Sequence, residues 1–306
     1  MEGVLLLYKP KGMTSHDCVF KVRKLLKEKR VGHTGTLDPD VTGVLPICIG
    51  RATKIAQFLT SDIKTYEGEV TLGFSTATED ASGEVVQEKE VDRVFTRAEI
   101  EEALRSLTGR IAQRPPMYSA VKVNGKKLYE YARQGIEVER PVRTITIHQF
   151  TLLDNRSEFS GSPLSFRFRV TCSKGTYVRT LAVMVGEKLG FPAHMSDLIR
   201  TASGQFTIED CITLEELEER VQSGTVEEIL RSVEEALHEF PQIIVDKDQA
   251  EKVKNGAFLL NKANREGFVT VFDENKHCLA IYEPNPKAPG LLKPTKVLVN
   301  NQELQL

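Results

Sequence analysis

Apolar residues fill positions 4–7 without a break, and Lys9-Pro10-Lys11-Gly12 then interrupts them. A short unbroken apolar run closed by turn formers predicts a buried strand over residues 3–8. The period then becomes helical, with Val19, Val22, Leu25 and Leu26 on one side and Thr14 or Ser15 placed as the cap. Residues 31–54 are punctuated by Gly, Pro and Thr and predict a loop that leads into a helix over 53–59. Alternation marks a strand from Tyr66 to Phe74. It marks another over 164–172, where Leu164, Phe166, Phe168 and Val170 face one way and Arg167 and Arg169 the other. The polar, acidic stretch 75–92 predicts a hairpin or surface loop. Thr96-x-x-Glu99, Thr213-x-x-Glu216 and Thr225-x-x-Glu228 fit the capping-box pattern and predict three helix starts, the first helix closing at Gly109. A further helix is predicted over 177–189, ending at Gly190. After Phe240-Pro241 the chain holds short strand-like runs and turns, including Asn255-Gly256 and the proline-rich run Pro284 to Pro294, which predict a small β-barrel-like module.

The length of 306 residues fits one large domain, or one domain with such a module. No apolar run approaches the roughly 18–20 residues of a membrane span. The run at 4–7 is too short for a signal-peptide core, so the expected location is cytoplasmic. Cys18, Cys48, Cys172, Cys211 and Cys278 are odd in number and widely spaced, which predicts free buried thiols rather than disulfides or a cysteine-built zinc site. The net charge is −2, but residues 1–205 carry 30 Lys and Arg against 24 Asp and Glu. Residues 206–239 carry 2 basic and 11 acidic groups, so one acidic stretch masks a mildly basic body. Total charge therefore neither excludes nor supports an RNA partner, whose affinity would come from local basic grooves.

Chemistry concentrates in Gly32-His33-Thr34-Gly35-Thr36-Leu37-Asp38-Pro39-Asp40-Val41-Thr42-Gly43-Val44-Leu45-Pro46. Gly32, Gly35, Pro39 and Gly43 constrain the backbone around Asp38, and a carboxylate held rigidly can act as nucleophile or general base. Spacing alone equally allows a turn former or a helix cap. His33, Asp38 and Asp40 could begin a metal set, but no helical His pair or cysteine cluster completes one. Gly125-Lys126 lacks the upstream glycine of a phosphate-binding loop, since Ala120 stands there.

The segment around Asp38 closely resembles the signature loop of TruB-type pseudouridine synthases, Gly-His-x-Gly-x-Leu-Asp-Pro-x-x-x-Gly-x-Leu-Pro, at every fixed position. Lys9-Pro10-Lys11-Gly12-Met13-Thr14-Ser15 is similar to an element that supports the site in that family. Lys64-Thr65-Tyr66 resembles the head of the strand whose tyrosine stacks on the target base. Cys172-Ser173-Lys174-Gly175-Thr176-Tyr177-Val178-Arg179-Thr180 is similar to the family's Ser-x-Gly-Thr-Tyr-[Ile/Val]-Arg element. Ala193 to Thr201 resembles the stretch whose leucine, here Leu198, packs on the bound base, although Thr201 departs from the usual residue there. Pro115 to Gly135 resembles an RNA-gripping insertion, and the tail resembles a PUA module.

The resemblance implies an isomerase that converts uridine 55 in the T loop of tRNA to pseudouridine by base flipping, without a cofactor or an obligatory protein partner. It implies Asp38, Arg179 and Tyr66 at the chemistry, with Arg179 paired to Asp38. It implies substrate contacts from His33, Tyr66, Tyr177 and Leu198, and from the insertion residues Lys122, Lys126, Lys127 and Arg133. In that insertion, about 114–143, interleaved Lys, Arg and Tyr suit phosphate contact and stacking, though a solvated amphipathic helix has the same composition. The implied fold is an α+β catalytic domain with a mixed β-sheet and central cleft over 1–240, followed by a PUA-like module over 241–306. Two other functions fit the same residues: an RNA-binding or RNA-folding protein without catalysis, and a guide-RNA-directed pseudouridine synthase.

Overall fold

The middle of the main sheet is formed by a segment that the sequence analysis assigned to a loop. In the computed structural model, which describes residues 1–60 and 63–299, Thr42–Ile49 is a strand with seven of its eight residues buried. Residues 300–306 of the expected tail module lie outside the described residues. The glycines and proline of this segment obscured the strand, and burial on both faces removed any alternation. Ten strands form the sheet. Its path runs Leu230–Arg231, Gly3–Lys9, Thr42–Ile49, Ala193–Ser203, Lys64–Leu72, Leu164–Cys172, Arg143–Leu152, Gly109–Gln113, with Val31–His33 and Phe206–Thr207 added beside it. Pairing is antiparallel except where Ala193–Ser203 runs parallel to Thr42–Ile49, so the sheet is mixed.

Two glycines let the strands meet at that junction. Gly43 has φ +105°, and a Cβ there would lie 2.2 Å from the Arg200 carbonyl oxygen. Gly68 stands opposite Leu198 in register; a Cβ there would lie 2.8 Å from a Leu198 methyl carbon and 2.9 Å from the Phe168 ring. Pro46 is tolerated in a central strand for a related reason. Its carbonyl accepts from Thr34 N–H at 3.1 Å, so its nitrogen faces that side too, and no ladder bond to Gly3–Lys9 is lost.

The strand Gly3–Lys9 shows why its pattern looked continuous. Leu5 and Leu7 pack with Val19, Val22, Leu214 and Leu217 of the helices Ser15–Leu26 and Leu214–Ser223. Val4 and Leu6 face the other way, into a cluster with Phe58, Leu237, Phe272, Ile281 and Leu298. A third cluster joins Val70, Phe166 and Val170 to the helices Arg97–Ser106 and Val178–Leu189. Thr14, Thr96 and Thr213 all make the expected capping boxes. Thr225 does not, since its side chain caps nothing and only a 3-10 turn, Val226–Ile229, follows. Its N–H is taken by the Arg220 carbonyl closing the preceding helix, and from Leu230 the chain joins the sheet edge. Ser232 instead caps a short helix, Val233–Ala236. The helix from Arg97 stops at Ser106, and Gly109, at φ +98°, turns the chain into the next strand.

The tail forms a curled five-stranded sheet in the order Gln242–Ile244, Val269–Phe272, Cys278–Pro284, Leu291–Val297, Leu259–Leu260. It also holds a helix, Lys247–Lys254, capped by Asp246, which the search for strands overlooked. All five cysteines are free, as expected. Among the described residues no helix is long and apolar enough to cross a membrane.

Candidate active site

The loop between Val31–His33 and Thr42–Ile49 stands on a pedestal built by the Lys9–Ser15 segment. Lys9 is fully buried, and its ammonium donates to the carbonyls of Pro10 at 2.8 Å, Pro39 at 2.9 Å and Met13. Gly12 N–H reaches the same Pro39 carbonyl at 2.9 Å. Ser15 Oγ accepts from Leu37 N–H at 2.8 Å. Burial of Lys9 lowers its pKa, while Asp38 and Asp40 pull it back up. The Lys9 cation thus holds the backbone after Asp38 through Pro39, and Ser15 holds it before Asp38 through Leu37.

Asp38 also opens a turn, with Val41 N–H donating to its carbonyl at 3.1 Å and Pro39 next in the chain. The turn-forming and functional alternatives are therefore one geometry: the turn presents the carboxylate. Arg179 Nε lies 2.9 Å from Asp38 Oδ2; the arginine side chain is 7% exposed and the carboxylate 42%. The cation is thus walled in while the carboxylate looks into an open cleft. The recess still desolvates the Asp38 carboxyl enough to push it above the ordinary carboxylate range, with Arg179 opposing that and Asp80 adding to it.

Arg179 sits in the first turn of Val178–Leu189, an unfavourable end for a cation. Its surroundings offset this. Nη1 donates to the Thr78 carbonyl and Nη2 to the Tyr118 carbonyl, each at 2.9 Å, and Asp80 Oδ2 lies 3.7 Å away. Asp80 is held in turn by Thr78 and Ser82, whose hydroxyls each donate to Oδ1 at 2.6 Å. Sequence reasoning expected an acidic hairpin here, and Phe74–Thr76 does pair with Val85–Glu88, but it gave the loop no part in the site, although Thr78-Glu79-Asp80-Ala81-Ser82-Gly83 carries the signature of a side-chain-stabilised turn.

The cleft beside Asp38 is walled by Tyr66, Tyr118, Tyr129, Tyr177, Leu198 and Arg200. Tyr66 and Leu198 come from neighbouring strands and are nearly buried. Tyr177 is fixed through its backbone, because Gln113 accepts from its N–H at 2.8 Å and donates to its carbonyl at 3.1 Å. His33 is not in this wall. It ends the Val31–His33 strand and its Nδ1 accepts from Gly35 N–H at 3.3 Å; burial lowers its pKa. Arg200, two residues beyond Leu198, is 1% exposed and donates from Nε to the Val44 carbonyl at 2.8 Å.

The basic insertion borders this cleft through Tyr118, Ser119, Ala120 and Tyr129. Its hairpin, Lys122–Val123 with Lys126–Lys127, turns at Asn124 and Gly125, both at positive φ. Leu128 is its buried anchor. Lys126 lies over the Tyr131 ring, and Lys127 and Arg133 flank Tyr129. Arg133 and Tyr129 reach a mouth of the cleft that Asp38 shares. Lys122 is exposed on the hairpin. Among the described residues no group of three or more His, Cys, Asp or Glu is arranged to hold a metal ion.

Residues 23–178 match the TruB family pseudouridylate synthase N-terminal domain, and residues 179–238 match the tRNA pseudouridylate synthase B C-terminal domain. A protein of Bacillus cytotoxicus named tRNA pseudouridine synthase B is 74% identical over 307 residues, covering 100% of both chains. One of the same name from Geobacillus thermodenitrificans is 62% identical over 300 residues, covering 97% of this chain and 99% of its own. Among solved structures, a Cbf5-Nop10-Gar1 complex contains a chain that superposes with a TM-score of 0.75 at 27% identity, covering 98% of this chain and 86% of that one. With both family matches and identities this high along nearly its whole length, the chain belongs to the TruB family of pseudouridylate synthases.

Proposed function

We propose that the protein isomerises uridine 55 in the T loop of tRNA to pseudouridine, acting without a guide RNA. The observation that carries this reading is the Asp38–Arg179 pair, 2.9 Å apart at the floor of a cleft lined by Tyr66 and Leu198. A base stacked inside a loop cannot bring its glycosidic carbon to a recessed carboxylate, so the nucleotide must leave the stack. Tyr66 and Leu198 then replace the lost stacking, and Tyr177 lines the pocket. Attack by Asp38 at C1′, attack at C6 and removal of a ribose proton all require an ionised oxygen facing the nucleotide. Arg179 favours that ionised form and fixes its direction. Breaking C1′–N1 and forming C1′–C5 is redox-neutral and needs no cofactor. The proton on C5 leaves to solvent and N1 gains one.

Within this reading Lys122, Lys126, Lys127 and Arg133 grip phosphates while His33 braces the opened loop from the base of the Asp38 segment. Residues 1–240 form the catalytic domain and 241–306 an RNA-binding module. Deleting residues 118–138 should weaken tRNA binding and flatten its salt dependence, since fewer phosphate contacts release fewer counterions; equal affinity and slope in filter binding would place the grip elsewhere. The reaction itself is tested with a tRNA transcript labelled with tritium at uracil C5. The protein alone should release one tritium per tRNA to water, and retention of all label would refute the proposed activity.

A further inference from the structure

Arg200 is the largest fully buried side chain among the described residues, at 1% exposure. Among the described residues no carboxylate pairs with it. Its recorded backbone partners are the Val44 carbonyl at 2.8 Å and, at the limit of a hydrogen bond, the Gly35 carbonyl at 3.5 Å. Burying a guanidinium with so little compensation is costly unless the charge serves another group. That group is Tyr66. The two residues are direct cross-strand partners, Arg200 opposite Tyr66, where Ala193–Ser203 pairs with Lys64–Leu72. Their side chains therefore leave the same face of the sheet and both border the cleft, where the Arg200 cation acts on the Tyr66 phenol.

Arginine has donors only, so a bond between the two has the Tyr66 oxygen as acceptor and leaves its own O–H to donate elsewhere. We propose that Arg200 is a positioning residue acting through Tyr66: it holds the phenol from behind and aims its O–H into the cleft as a donor to an acceptor oxygen of the bound nucleotide. Gly43 belongs to the same device, because only a residue without Cβ lets the Arg200 backbone approach so closely. This inference rests on the proposed placement of the target base against Tyr66.

A double-mutant cycle in single-turnover kinetics tests it, with Arg200→Met, Tyr66→Phe and the double variant. Tyr66→Phe keeps the ring and removes the O–H; Arg200→Met keeps bulk and removes the charge. Each single change should slow the chemical step about 10- to 100-fold, the range for one hydrogen bond involving a charged group. The double variant should be no slower than the slower single, because the arginine has nothing left to act on. A residue that merely packs would multiply the two losses, and that result overturns the inference. Arg200→Lys should recover part of the rate when Tyr66 is present and none in the Tyr66→Phe background. If Arg200→Met does not fold by circular dichroism, Arg200→Lys takes its place in the cycle with the same two outcomes. Wild-type turnover by Tyr66→Phe would show that the hydroxyl meets no nucleotide atom. It would overturn this inference while leaving the Asp38 chemistry to be judged by tritium release.

Discussion

Replacing Asp38 by Asn is expected to abolish pseudouridine formation while leaving the fold and most of the tRNA affinity in place. The amide keeps the shape of the carboxylate, so the turn it opens and the bond from Val41 N–H to its carbonyl persist. What disappears is the charge and the nucleophilic oxygen. Lys9 continues to hold Pro10, Met13 and Pro39 whatever stands at position 38, so the loop should not collapse. Loss of an essential nucleophile or base commonly costs several powers of ten. A residual rate above about 1% of wild type, in single-turnover measurements at saturating tRNA, would remove Asp38 from the chemistry. Unchanged thermal unfolding and near-unchanged tRNA binding are required for the loss to be read as chemical.

Arg179→Ala is expected to have the second-largest effect and to act on the chemical step more than on binding. The arginine joins Asp38, Asp80, the Thr78 carbonyl and the Tyr118 carbonyl, so its removal also frees the basic insertion from the cleft floor. The charge effect has a definite sign. Burial already raises the Asp38 carboxyl, and Arg179 is the largest influence opposing that rise. Without the cation the protonated form gains, and the acid limb of the rate–pH profile moves to higher pH. Loss of one close charge partner is worth roughly 1–3 pH units. The rate should fall most at mildly acid pH and recover in part as pH rises. An unchanged rate and profile would make Arg179 a bystander.

Much of this site was legible because it is local. Gly32 to Pro46 is one unbroken signature, and the Arg179 element is another; what the sequence analysis lacked was their distance, which the parallel junction at Gly43 and Arg200 supplies. The same junction explains the main error. Thr42–Ile49 was assigned to a loop because Gly43 and Pro46 are turn formers in most settings, yet one admits a close strand approach and the other turns its missing N–H toward Thr34, away from the ladder to Gly3–Lys9. The burial of Arg200 was not legible, because periodicity cannot say which side of a strand ends in the core. The Thr225 helix start failed for a different reason. The capping pattern is necessary for that geometry but does not create it, and the preceding helix had already claimed the Thr225 N–H. Asp80 went unseen because its value lies in a tertiary contact to Arg179, for which the turn signal gives no direction.

The most direct test of the central claim is to incubate the purified protein alone with an unmodified tRNA transcript and map pseudouridine at single-nucleotide resolution. The account predicts conversion at uridine 55 of the T loop, without a guide RNA or protein partner, and no conversion by the Asp38→Asn variant at equal tRNA occupancy. Bound but unmodified tRNA with wild-type protein, conversion at some other position, or conversion that survives the Asp38→Asn change would contradict it.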